Sequence, residues 1–138
     1  MSDVKLTKSN EQSMNGATRM SEFEVLKTEV EQFVEARDWS VFHTPKNLAM
    51  CLSVEASELV ELYQWQLWQT DVAAPGGGPP LQSRVAEEVG DIMISLLNFC
   101  RAAGIDPVEA ARQKLVQVKQ KYPVSKVRGS AVRPGHKT

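Results

Sequence analysis

The sequence predicts an all-α protein, a four-helix bundle, on three observations. Apolar residues recur with a 3.6-residue period in one segment after another. Residues that start and stop helices bracket those segments. No run alternates with the period of two expected of a half-buried strand, and no internal repeat is present.

The elements follow in order. Residues 1–20 are polar, lack periodicity and are expected to be disordered. Over residues 22–38, Phe23, Leu26, Val30, Phe33 and Val34 mark one face of an amphipathic helix. A connector carrying Trp39, Phe42 and His43 leads to Thr44-Pro45, an N-cap followed by proline at the first helical position. The helix so begun should run to about Trp68. It is apolar on most sides over residues 48–62, which places it at the centre of the structure. Pro75-Gly-Gly-Gly-Pro-Pro80 breaks the chain. A third helix is expected over residues 81–103, stopped by Gly104. Asp106-Pro107-Val108-Glu109 reads as N-cap, first position and capping-box acid of a fourth helix reaching Lys121, with Pro123 as its stop. Residues 21–123 thus form the domain, and residues 124–138 an extended basic tail.

The 138 residues are 42% hydrophobic and 24% charged, which fits one globular domain and excludes collagen-like, disulfide-scaffold and wholly disordered classes. The net charge of −1 conceals a split: residues 1–111 carry 8 basic and all 17 acidic side chains, and residues 112–138 carry 8 basic side chains and no acid. No apolar run reaches the roughly 20 residues of a membrane span. The first residues lack a basic-then-apolar signal layout. Cys51 and Cys100 lie in apolar helical surroundings and are read as reduced core residues of a cytoplasmic protein, since no Cys/His cluster suggests zinc.

The informative acids interrupt the two most apolar helices. Glu55 and Glu58 lie three apart on helix two. Glu88 and Asp91 repeat the spacing on helix three, followed on the same face by Ser95 and Asn98. Four bare carboxylates cannot share a bundle interior, because desolvation and mutual repulsion would drive protons onto them. Lys46, Arg84 and Arg101 sit near helix ends, so metal ions are the better neutraliser. All-oxygen donors favour Mg2+, with Mn2+ as a substitute, over zinc. The same spacing also occurs on solvated helix faces. The apolar embedding without interleaved bases is what favours the metal, while Glu61 and Glu87 read as solvated. No nucleophile triad and no phosphate-loop GxxxxGK[ST] is present.

These residues resemble a known family. Glu55-Ala-Ser-Glu58-Leu-Val-Glu61-Leu-Tyr-Gln-Trp65, with Glu87-Glu88-Val-Gly-Asp91-Ile, is similar to the MazG-like all-α NTP pyrophosphatases, closest to their dCTP pyrophosphatase branch. The stretches at residues 37–48 and 121–130 share the likeness, which covers about residues 22–130. The resemblance implies hydrolysis of a nucleoside triphosphate to monophosphate and diphosphate, with Glu55, Glu58, Glu88 and Asp91 as magnesium ligands. It implies a base pocket at His43 and Trp65, supported by Trp39 and Asn47, and phosphate contacts from Lys121, Lys126 and Arg128. It also implies a homodimer or homotetramer. Helices as apolar as two and three agree with that, since a lone four-helix set covers them poorly. Two departures bear on the choice of base: Ser95 replaces an aromatic and Val118 an asparagine of the animal enzymes.

Two other readings remain at this point. One is a related all-α pyrophosphatase acting on dUTP, a damaged nucleotide or phosphoribosyl-ATP, which shares the acids and differs in the pocket. The other is a non-catalytic helical module that binds nucleic acid through the basic tail. The net −9 of residues 1–111 repels a phosphate backbone and disfavours it, and no membrane partner is expected.

Overall fold

A computed structural model describes residues 20–64 and 80–130. Expectations for the N-terminal segment, Trp65, Trp68, most of the proline-glycine break and the last eight residues lie outside the described residues. Every described element is helical. Helix α1 spans Glu22–Glu35, α2 Pro45–Tyr63, α3 Leu81–Ala103, α4 Pro107–Lys121 and α5 Val124–Val127; a 3-10 turn, Trp39–Phe42, lies between α1 and α2.

The caps act largely as the sequence indicates. Ser21 Oγ accepts the Glu24 N–H at 3.3 Å, and Thr44 Oγ1 accepts the Asn47 N–H at 3.2 Å. Asp106 Oδ1 accepts the Val108 and Glu109 N–H groups at 2.8 and 2.9 Å, which holds its carboxyl below its ordinary range. The Glu109 side chain does not complete a capping box. It accepts from Gln113 Nε2 one turn on, at 2.9 Å. Gly104 ends α3 at φ 66°, a left-handed conformation that glycine takes without a Cβ penalty.

Helix α1 stops three residues short of the expected Asp38. The Arg37 and Asp38 N–H groups bond back three residues rather than four, and Asp38 takes φ 53°. Arg37 Nη1 donates to the Phe33 carbonyl at 2.9 Å while its guanidinium lies 3.6 Å from the Phe33 ring centre. The helix thereby tightens into the 3-10 turn. Beyond α4, the tail is not extended throughout. Pro123 ends one helix and caps the single turn of α5.

Helices α2 and α3 form the main pair, and α1 packs on α3 and on the 3-10 turn. The interior is Val30 and Val34 of α1, Leu48 of α2, and Leu81, Leu97 and Cys100 of α3. Each such side chain contributes about 1.5–3 kcal/mol on burial. Arg101 fastens the end of α3: Nη1 pairs with Glu31 at 3.2 Å and Glu35 at 3.7 Å, and Nη2 donates to Ser40 Oγ at 3.1 Å. That bond sets the last turns of α3 beside the start of α2, so the two helices run antiparallel.

The all-α class expected from the sequence holds, and among the described residues the closely packed set is α1, α2 and α3. Helix α4 has only slight contact with the other helices and is exposed over most of its length. Helix α2 covers one stripe only, Leu48, Leu52, Glu55, Leu59 and Leu62, leaving Met50, Val54 and Val60 more than half exposed; Cys51, expected in the core, is exposed beside them, while Cys100 is buried. On α3, Val89, Met93 and Ile94 are likewise exposed. The apolar character of α2 therefore does not translate into burial within one chain.

Candidate metal centre

The covered stripe of α2 holds one charged residue, Glu55, amid four leucines. Across the seam α3 presents Glu88, half-buried, with Asp91 one turn further on at its exposed margin. Each of the three offers a carboxylate oxygen, and these oxygens all lie within 4.8 Å of one another. Glu55 meets Glu88 and Asp91 because the antiparallel pairing sets the middle of one helix against the middle of the other.

The electrostatics is unfavourable without a cation. Desolvation raises the carboxyl of Glu55 first, with further upward shifts from Glu58, Asp91 and Glu88. Glu88 is raised by desolvation, then by Glu58, Asp91 and Glu87; Arg84, one turn earlier, opposes this. Glu88 Oε2 is buried and has no hydrogen-bond partner. Buried polar atoms are rarely left so. A donor set of closely spaced carboxylate oxygens, one of them orphaned, fits a hard divalent cation.

The structure brings together three of the four expected acids. Glu58 is exposed and is not among the convergent oxygens, yet its charge acts on both Glu55 and Glu88. It flanks the cluster. Arg84 is nearer to the acids in effect than its place at the helix end suggested, since four residues is one helical turn.

The remaining expected residues divide into two groups. His43 follows the 3-10 turn, and its Nδ1 is buried without a partner. Asn47 ties the same loop to α2, with Nδ2 donating to the Phe42 carbonyl at 3.0 Å. Trp39 stands edge-on to Phe33, ring centres 5.8 Å apart at 78°, with the Arg37 guanidinium 6.0 Å from its ring. These three share the end of the molecule where α2 begins and α3 finishes. Lys121 lies at the far end of α4, with Nζ 5.5 Å from the Tyr122 ring centre, and Lys126 and Arg128 sit on α5 and its cap. Among the described residues, none of the three pairs with the carboxylates or shifts Glu55 or Glu88. Trp65 lies outside the described residues.

Sequence reasoning missed the part played by Arg101, whose three partners come from two segments far away in the chain. A lone arginine near a helix end gives no signal of that. It did place Asn98 on the acidic face, but not that this residue is buried with Oδ1 unpartnered.

No family model matches the chain. It is 35% identical over 100 residues to dCTP pyrophosphatase 1 of Mus musculus, and 31% identical over 100 residues to that of Homo sapiens. Each match covers 72% of this chain and 58% of the relative, so the chain spans less than two thirds of the length of these proteins. A crystal structure of a pyrophosphatase from Archaeoglobus fulgidus matches with a TM-score of 0.66 and 34% identity, covering 79% of this chain and 99% of that one. An all-helical fold, acids converging from two antiparallel helices and near-complete coverage of a solved pyrophosphatase agree: the chain belongs to the MazG-like all-α NTP pyrophosphatase family.

Proposed function

We propose that this chain is a metal-dependent pyrophosphohydrolase that converts a (d)NTP and water to (d)NMP and diphosphate. Its preferred substrate is dCTP or a modified dCTP, and its role is the cleansing of the cytoplasmic nucleotide pool. The observation that carries the reading is the set of three carboxylates, Glu55, Glu88 and Asp91, gathered in an apolar seam with two of them pushed toward protonation. The relatives named dCTP pyrophosphatase support the choice of base.

Glu55, Glu88 and Asp91 would hold Mg2+, with Mn2+ as a substitute. When bound, the ion supplies Lewis acidity and a lowered water pKa at the α-phosphorus. Glu58, flanking the three, takes the proton of the attacking water. His43 and Trp39 border the base, with Trp65 as a further pocket residue, and Asn47 holds the His43 loop in place. Lys121, Lys126 and Arg128 meet the phosphates of a neighbouring subunit's substrate, a reading favoured by the outward position of α4. The exposed valines and methionines of α2 and α3 support a homodimer or homotetramer in which those faces are covered.

The test is a panel of dNTPs and NTPs with separate detection of diphosphate and orthophosphate. Diphosphate release that requires magnesium, fastest with dCTP or its 5-modified forms, is the expected result. Orthophosphate as the product would overturn the reaction. Faster turnover of dUTP or a purine nucleotide would overturn the substrate. Alanine at Glu55, Glu88 or Asp91 should lower turnover at least about a hundredfold through loss of metal charge at the transition state, and alanine at Glu58 by as much through loss of the general base.

A further inference from the structure

Four side-chain atoms among the described residues are buried without a hydrogen-bond partner: His43 Nδ1, Glu88 Oε2, Asn98 Oδ1 and Arg101 Nη1. Arg101 is ion-paired with Glu31 and Glu35, and Glu88 belongs to the carboxylate cluster. His43 and Asn98 remain. Asn98 is only 8% exposed and is, among the described residues, the one buried polar residue.

These two lie at the same end of the molecule. The Arg101 to Ser40 bond sets the last turns of α3 against the 3-10 turn, and Asn98 is one turn before Arg101. His43 caps that 3-10 turn. Asn98 is also in register with the acids. Seven residues separate it from Asp91, which returns it to nearly the same face about 10 Å further along the helix. That is the order of distance a nucleotide spans between its α-phosphate and its base edge. Ser95 lies between them on that face.

We propose that Asn98, which lines a cavity with Val30 of α1 and Leu97 and Arg101 of α3, is a specificity-determining residue that reads the edge of the nucleobase. The proposal rests on the nucleotide reading of the carboxylate site. An enclosed oxygen without a partner lacks an N–H donor. Cytosine offers one in its exocyclic amino group, where thymine and uracil carry a carbonyl. If Asn98 served only the fold, a buried amide with an unmatched oxygen would be a cost with no return, and an apolar residue of the same size would be tolerated or preferred.

The experiment compares the wild-type chain with Asn98→Leu and Asn98→Ala. Calorimetry measures the binding of dCMP and dTMP, thermal unfolding measures stability, and turnover of dCTP and dTTP is followed in the same preparations. The wild type should favour the cytosine nucleotide. Both variants should reduce that preference roughly ten- to hundredfold, the range of a good side-chain pair to a base, with the change falling mainly on KM. Asn98→Leu should melt no lower than the wild type. An unchanged preference in a folded variant overturns the proposal, as does a wild type without base preference or a pair of variants that both fail to fold. The nucleotide reading fails separately. A wild type that binds by base but hydrolyses nothing leaves the role of Asn98 standing and removes the catalytic one.

Discussion

Replacement of Glu88 by glutamine should stabilise the metal-free protein while abolishing its response to magnesium. Glu55, Glu88 and Asp91 make three pairwise repulsions within 4.8 Å, and Glu88→Gln removes two of them with little change of shape. It also gives the seam a neutral amide in place of a desolvated carboxylate. For the wild type, magnesium at a hundredfold over its dissociation constant should add about 2.7 kcal/mol. In a chain of this length that is a rise in melting temperature of roughly 10 °C. The assay is thermal unfolding of both proteins with chelator and with magnesium. The variant should melt at or above the wild type in chelator and move little on adding the ion. The pH dependence follows from the upward shifts of Glu55 and Glu88. A carboxyl whose folded pKa is raised contributes stability that is present at low pH and lost as pH rises past the folded value. The advantage of the variant in chelator should therefore be absent well below pH 4.5, the ordinary value for glutamate, and grow as the pH rises above it. A variant that melts lower than the wild type in chelator and still gains from magnesium would refute the reasoning.

Other outcomes follow from the packing. Arg101→Met should cost about 2 kcal/mol, from one charged hydrogen bond and two partly exposed ion pairs. Hydrogen exchange should show the 3-10 turn loosening first; unchanged exchange there would remove Arg101 as the clip. Light scattering at micromolar concentration should find a dimer or tetramer, and a monomer would contradict the covering of the α2 and α3 faces. Adding a charge at the exposed Val60, as Val60→Glu, should weaken that assembly while leaving the helical content unchanged.

The helices were legible because their boundaries are chemical. Thr44, Asp106 and Gly104 cap or stop as their side chains dictate, and the period of 3.6 marks each amphipathic face. The 3-10 turn was not legible, since four residues carry no period and Asp38 enters a left-handed conformation that few non-glycine residues adopt. The turn of α5 was masked by basic residues that suit tail and helix alike. Of the site, the pairing of acids on two apolar helices could be read from spacing. That Glu58 stands aside from the other three could not, because it depends on how α2 is rotated against α3. The ion-pair clip at Arg101 is a tertiary contact across 61 or more residues, and nothing local records it.

In the proposed function Glu55, Glu88 and Asp91 together hold a divalent ion. A crystal grown with Mn2+ and a non-hydrolysable dCTP analogue tests it most directly, through the anomalous signal of the metal. The account predicts a peak bound by oxygens of all three carboxylates and of the nucleotide phosphates. A crystal in which the nucleotide is bound and the anomalous density lies elsewhere, or is absent between α2 and α3, would contradict it.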